Sequence, residues 1–198
     1  MPVTVRKASF DDVKPLATAL AEAFATDPVL RWLLPSSRAR SRLRGLFAME
    51  LLRLYLPHNE VYTSRDLVGG ALWSPPGCWR TPTRSVVPAL PRLTWTLRAR
   101  MGLAFRAVST IERLHPSEAH WYLAVLGTRP EHQRRGVGSA LLAPVLERCD
   151  RDYLPAYLES STQDNVAFYS RRGFEVTGRI DLPGGGPSVW PMWRQPRP

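Results

Sequence analysis

Apolar positions recur along this chain with two periods, and the switching between them predicts its elements. Residues 3–8 alternate as a short strand. Ser9-Phe10-Asp11-Asp12 then offers a capping-box-like helix start. Val13, Leu16, Ala17, Leu20 and Phe24 follow at helical spacing, with Pro15 weakening the first turns. Residues 25–28 break that helix, and residues 29–34 form a short helical turn. Leu43, Leu46, Phe47, Glu50, Leu51 and Leu54 make residues 38–56 one long amphipathic helix, ended by Pro57. Residues 60–64 and 67–74 flank Arg65-Asp66 and predict a strand hairpin.

The pattern then lapses. Ser74-Pro75-Pro76-Gly77 opens an irregular stretch through Pro82, Pro88 and Pro91. Helical spacing returns over residues 93–114, carried by Trp95, Leu97, Met101, Leu103, Phe105, Val108 and Ile111. An apolar run over residues 121–126 reads as a strand. Residues 135–149 read as a helix, with Pro144 inside it expected to kink it or remove one hydrogen bond. Residues 157–160 form a short strand, and residues 165–172 a helix closed by Gly173. Residues 174–179 and 188–193 make closing strands joined across Pro183-Gly184-Gly185-Gly186-Pro187. There is no internal repeat or low-complexity segment. Helices and strands so mixed predict an α/β chain, with residues 1–198 forming one domain.

Chemistry concentrates where the strand at 121–126 meets the next helix. Gln133-Arg134-Arg135-Gly136-Val137-Gly138 leads into the helix-forming Ser139-Ala140-Leu141-Leu142. The unpaired N–H groups and dipole of a helix start favour an anion. Gly136 and Gly138 let a phosphate approach the backbone, and Arg134 and Arg135 add donors and charge. The loop fails the dinucleotide fingerprint, because Leu141 stands at the third glycine. It fails the P-loop because no Gly-Lys-Ser/Thr follows. It does fill Q/R-x-x-G-x-G/A, through Gln133, Gly136 and Gly138.

Composition narrows the classes. The chain has 198 residues, 44% of them hydrophobic, enough for one substantial core. No run of eighteen apolar residues predicts a membrane span, and the first residues lack the apolar region of a signal peptide. Cys78 and Cys149 are isolated thiols, which fits a reducing, cytoplasmic setting. The net charge of +10 raises a nucleic-acid-binding module as a non-catalytic alternative. Yet only Lys7 and Lys14 are lysines, and the cluster Arg38, Arg40, Arg42 and Arg44 reads as a solvated helix face. His58, His115, His120 and His132 are scattered without ligand spacing, so no metal is expected.

The loop, together with Asn165-Val166-Ala167-Phe168-Tyr169 through Gly173-Phe174 about thirty residues later, resembles the GNAT superfamily of N-acetyltransferases. Ala23-Phe24-Ala25, Trp121-Tyr122-Leu123-Ala124, Pro130-Glu131-His132-Gln133 and Leu158-Glu159-Ser160 are similar to its puromycin N-acetyltransferase-like actinobacterial group. The resemblance is specific over residues 121–193 and diffuse before them. It implies a central mixed, mostly antiparallel sheet of about seven strands flanked by helices. A cofactor core would cover about residues 119–179, with acceptor-side helices at about 26–56 and 74–115. The latter segment is longer than a simple core needs and reads either as a lid or wall, or as ordinary packing on the sheet.

The reaction implied is direct attack of an amine on acetyl-CoA, with no metal. Pantetheine would pair with the backbone of Leu126, Gly127 and Thr128, and pyrophosphate would sit on Gln133, Arg134, Arg135, Gly136, Val137, Gly138 and Ser139. Asn165, Phe168 and Tyr169 would complete the cofactor site. The N–H of Leu126 is the family's oxyanion donor, and Tyr169 its acid for the departing thiolate. The family's base position, fourteen residues before Gly136, holds Tyr122, a poor base. Glu159 is the best remaining carboxylate, followed by His120 and Glu118. The acceptor expected is a primary amine on a small molecule, with a protein N-terminus or lysine as the alternative. A monomer or homodimer suffices, without membrane or nucleic acid.

Overall fold

A computed structural model describes residues 3–35, 39–80 and 90–197. The first strand, β1 (Val5–Lys7), is followed by a 3-10 turn (Phe10–Asp12) and α1 (Val13–Ala23). The capping box is present: Ser9 N–H donates to Asp12 at 2.8 Å. Pro15 is absorbed in the first turn, where its missing N–H has no partner to lose. Asp27 caps α2 (Pro28–Leu33) by accepting from Leu30 N–H.

The helix predicted over residues 38–56 is not uniform. Arg38 lies outside the described residues; α3 (Ala39–Glu50) passes into a π turn (Leu51–Tyr55) and a 3-10 turn (Leu56–His58). Leu56 N–H reaches back to Leu51 O, so Leu51 and Leu56, both buried, face inward five residues apart. The same wider turn sets Glu50 beside Tyr55.

The hairpin of β2 (Val61–Ser64) and β3 (Gly69–Ser74) follows. Most of the irregular stretch after it lies outside the described residues. The helical segment beyond is α4 (Leu90–Leu97) and α5 (Met101–Leu114), separated by a 3-10 turn at Arg98–Arg100. Next come β4 (Trp121–Thr128), α6 (Val137–Arg151), β5 (Ala156–Ser160) and α7 (Gln163–Ser170). The α6 helix runs unbroken past Pro144. The chain closes with β6 (Glu175–Val176), β7 (Ile180–Asp181) and β8 (Ser188–Arg194). Of the strand expected over residues 174–179 only β6 forms; β7 lies just beyond it, and Phe174 packs into the core instead.

Seven strands run in the order β1-β2-β3-β4-β5-β8-β6, and β7 pairs with β8. Every pairing is antiparallel except β4 with β5. On one face Ala71, Trp73, Leu123, Leu158 and Met192 pack against Leu141, Leu142 and Val145 of α6. On the other, Val61 and Leu72 pack against Leu16, Leu20, Phe47 and Leu51. Between β2 and α6, Arg148 grips Glu60 through two nitrogens at 2.9 and 2.7 Å. A third small core joins Ala107 and Ile111 of α5 to Ile180, Leu182 and Val189, with Val29 and Trp32 of α2 against it.

Candidate active site

The centre of the sheet opens where β4 and β5 part. Their parallel register ends at Leu123↔Leu158. At that level β4 carries a bulge: Leu72 pairs with Val125 and Trp73 with Leu123, so Ala124 is the extra residue. A bulge bends its strand, and this one turns the rest of β4 away from β5. It also resets the side-chain alternation. Val125 joins the α1 face and Leu126 the α6 face; Ala124 therefore does not simply repeat the position of Tyr122.

The bend leaves a strand edge unpaired. Arg129 N–H donates to Val68 O at 2.8 Å, so by antiparallel alternation Gly127 and Val125 also hydrogen-bond toward β3. The backbone groups of Thr128 and Leu126 consequently point into the cleft that β5 has vacated. Gln133 Nε2 donates to Thr128 O at 3.1 Å, as that orientation requires. Such an edge can pair with an extended, amide-containing chain.

The α6 helix begins at the mouth of this cleft. Gly136 is its N-cap, with φ +82°, and no side chain caps the helix. The first helical bond is Ala140 N–H to Gly136 O at 3.0 Å, which leaves the N–H groups of Val137, Gly138 and Ser139 free of helix partners. Gly138 has a different reason to be glycine: a Cβ there would lie 3.2 Å from Phe168 Cζ. Gln133, Arg134, Arg135 and Gly136 are exposed, while Val137 is buried beneath them. Arg172 ties the start of α6 to the end of α7, donating to Ser139 Oγ and Phe168 O and lying 3.6 Å over the Phe168 ring.

Tyr169 reaches the same region from α7. Its ring sits edge-on to Phe168 and Phe174, and it is buried. Burial pushes its phenol up, with Arg172 opposing, so the hydroxyl keeps its proton at neutral pH. Asn165, one turn earlier, is exposed near the helix start.

On the opposite side of the sheet, Glu159 is the first residue of β5 past the last β4 pair. Tyr122 Oη donates to Glu159 Oε2 at 2.9 Å. The Tyr122 phenol is driven well up, by burial first and by Glu159 next, which fixes it as a donor rather than a base. Glu159 Oε1 is buried without a hydrogen bond, as is Tyr157 Oη. His115 Nδ1 stands 3.5 Å from Glu159 Oε1, and His120 is 2.9 Å from His115. Glu118 contributes only its carbonyl, to His120, and its side chain is exposed. Glu50 and Tyr55 complete this side: Glu50, half-buried, is pushed up to about 7 by burial, and Tyr55 is raised by burial, Glu50 and Glu159.

The two histidines that looked scattered in sequence are therefore adjacent. Their proximity comes from the turn between α5 and β4, which spacing does not reveal. Glu50 did leave a trace, as the one carboxylate in an otherwise apolar helical stripe. Among the described residues no three His, Cys, Asp or Glu side chains are grouped to hold a metal ion, and no helix is long and apolar enough to cross a membrane.

The profile of the acetyltransferase (GNAT) domain matches residues 103–176. The chain has the GNAT fold and is similar to GNAT acetyltransferases. The chain is 27% identical, over 194 residues, to an uncharacterised N-acetyltransferase of Schizosaccharomyces pombe, covering 91% of this chain and 77% of that one. Its structure is similar to histone acetyltransferase HPA2 and related acetyltransferase of Corynebacterium glutamicum, with TM-score 0.76 and 28% identity over 100% of this chain and 98% of that one. It shares its fold with the Drosophila melanogaster polyamine N-acetyltransferase, an enzyme that forms N-acetylagmatine, at TM-score 0.65 and 13% identity over 98% and 100% of the two chains.

Proposed function

We propose that this chain moves the acetyl group of acetyl-CoA to a primary amine of a small molecule by direct attack. The observation that carries this reading is Glu159 Oε1, a buried acceptor without a hydrogen bond, at the point where β4 and β5 part. A buried carboxylate oxygen without a partner is costly, and an incoming amine supplies the missing N–H. The surroundings favour a compact acceptor. Tyr122 and Tyr157 flank Glu159, and α2, α5 and the turn before β8 bound that side, with Trp32 and Leu103 lying against Gly186 and Gly184.

The donor side follows from the free strand edge and the helix start. Leu126 and Thr128 pair with pantetheine, with Gly127 between them bonded to β3. The segment Gln133, Arg134, Arg135, Gly136, Val137, Gly138 and Ser139 cradles the pyrophosphate, and Asn165 and Phe168 flank the chain beside Tyr169. Leu126 N–H stabilises the oxygen of the thioester carbonyl as charge develops. Glu159 removes the amine proton, and Tyr169 donates one to the leaving thiolate. The free thiols of Cys78 and Cys149 suit a reducing cytoplasm.

A thiol-release screen tests the acceptor. The expected result is turnover of aliphatic or aromatic small amines, puromycin among them, and none of peptides bearing free N-termini or lysines. Peptide turnover with no small-amine activity would instead give this chain a protein substrate. Glu159→Gln should lower kcat/KM at neutral pH by about 100-fold or more.

A further inference from the structure

His115 and His120 stand on the turn that carries the chain from α5 into β4, and their partners fix where their protons lie. A backbone carbonyl only accepts, so the 2.6 Å contact of His120 Nδ1 with Glu118 O places a hydrogen on Nδ1. Neutral His120 then presents a bare Nε2. Its 2.9 Å contact with His115 Nε2 therefore places the hydrogen on His115. Neutral His115 in turn has a bare Nδ1, and this nitrogen faces Glu159 Oε1 at 3.5 Å. Two acceptors confront each other with no proton between them.

The rest of the surroundings hold that arrangement. The other Glu159 oxygen is occupied by Tyr122 Oη. The His115 and Glu159 side chains are only 2% and 7% exposed. Trp79 stacks on the imidazole of His115 at 3.7 Å, and the rings of Tyr122 and Tyr157 close its edges at 4.9 and 4.7 Å. Tyr157, Tyr55 from the π turn and Glu50 at the end of α3 are the remaining titratable groups on this side, and burial biases all three toward their neutral forms. Burial holds His120 down, against its bond to the Glu118 carbonyl, and charge on His115 adds to the effect. His120 therefore stays the neutral acceptor, and His115 is the imidazole that faces Glu159.

We propose that His115, oriented by His120, shares the proton that Glu159 takes from the acceptor amine, so that the base is a Glu159–His115 pair rather than a lone carboxylate. This rests on the reading of Glu159 as base. In the step, the amine nitrogen bonds to the acetyl carbon while its N–H proton passes to Glu159 Oε1 and lodges between Oε1 and His115 Nδ1. The C–S bond breaks, and the thiolate takes the proton of Tyr169. Solvent returns a proton to Tyr169 and removes the one on the pair before the next turnover. Neither histidine touches the amine, and both are positioning residues. Sharing the proton with an imidazole gives the carboxylate a second nitrogen-based site to hold it while the amine attacks.

The test combines 15N NMR of the histidine rings with the pH profile of kcat/KM. Wild-type protein should show neutral His115 with Nε2 protonated and Nδ1 bare, and a kcat/KM that falls on the acidic side as the pair becomes protonated. His115→Asn cannot hold the proton, so its acidic limb should move down by about one unit or more and its rate fall about 10-fold. His120→Asn, whose side-chain carbonyl can still accept from His115, should keep most activity, and His120→Leu should behave like His115→Asn. A wild-type His115 protonated on Nδ1, or an unmoved limb in His115→Asn, would overturn the pairing. Glu159→Gln separates the two ideas. If it leaves the rate intact, the base reading itself is wrong; if it abolishes activity while His115→Asn keeps the wild-type profile, only the pairing is wrong.

Discussion

Tyr169 is asked to give up a proton in an environment that holds the proton on. Its ring is buried between Phe168 and Phe174, and burial raises its phenol. Among the described residues its hydroxyl makes no hydrogen bond, so removing that oxygen leaves no protein partner unsatisfied. Tyr169→Phe is consequently a clean test. It should leave the melting temperature and the CoA dissociation constant nearly unchanged while lowering kcat by about 100-fold, read by calorimetry and thiol release. A rate equal to wild type would take Tyr169 out of the chemistry. Tyr122 shows the complementary case. Its residue type already made it a poor base, and the structure turns it into a donor that holds Glu159. That Glu159 stands on the strand beside Tyr122 was legible, since both lie in apolar strand segments. The His115–His120 pairing was not, because it depends on how a turn folds back.

At the scale of elements, strongly periodic segments were read well and departures from periodicity were not. The helix α1, strands β2 to β5, and α6 lie where the apolar spacing put them. The π turn at Leu51–Tyr55 escaped, because a 3.6-residue repeat tolerates one extra residue at the end of an amphipathic run. So did the bulge at Ala124, whose signal is a pairing register between two distant strands. The loop before α6 was legible in type, and the structure divides its two glycines by cause. Gly136 needs its left-handed φ of +82°, and a Cβ there would meet nothing within 4 Å; Gly138 is confined by Phe168. Asn tolerates the left-handed region and β-branched residues do not. Gly136→Asn should therefore retain much of the CoA affinity, whereas Gly136→Val should abolish it, measured by calorimetric titration. Equal losses in both variants would mean that space for the phosphate, rather than backbone conformation, sets the requirement.

Across the whole molecule, the sheet separates α6 and α7 from α1 to α3 and α5, and on the latter side burial biases Glu50 and His120 toward their neutral forms. This has opposite consequences at the two ends of the pH scale. Glu50 is raised to about 7 in the folded protein. Its contribution to stability is complete below the unfolded value near 4.3 and is lost as pH rises through about 7. His120 is lowered. The unfolded chain binds its proton more tightly, so its contribution is present above about 6.5 and is lost as pH falls below that value. The two windows overlap, so the loss of the Glu50 contribution and the gain of the His120 contribution oppose one another as pH rises toward about 6.5. Glu50→Gln removes only the first of these. It should stabilise the protein by on the order of 2 kcal/mol at pH 8 and have little effect at pH 4, with the decline below about 6.5 intact. Urea unfolding of both proteins across that range decides the matter: parallel curves would show that Glu50 is ionised at no cost in the folded state.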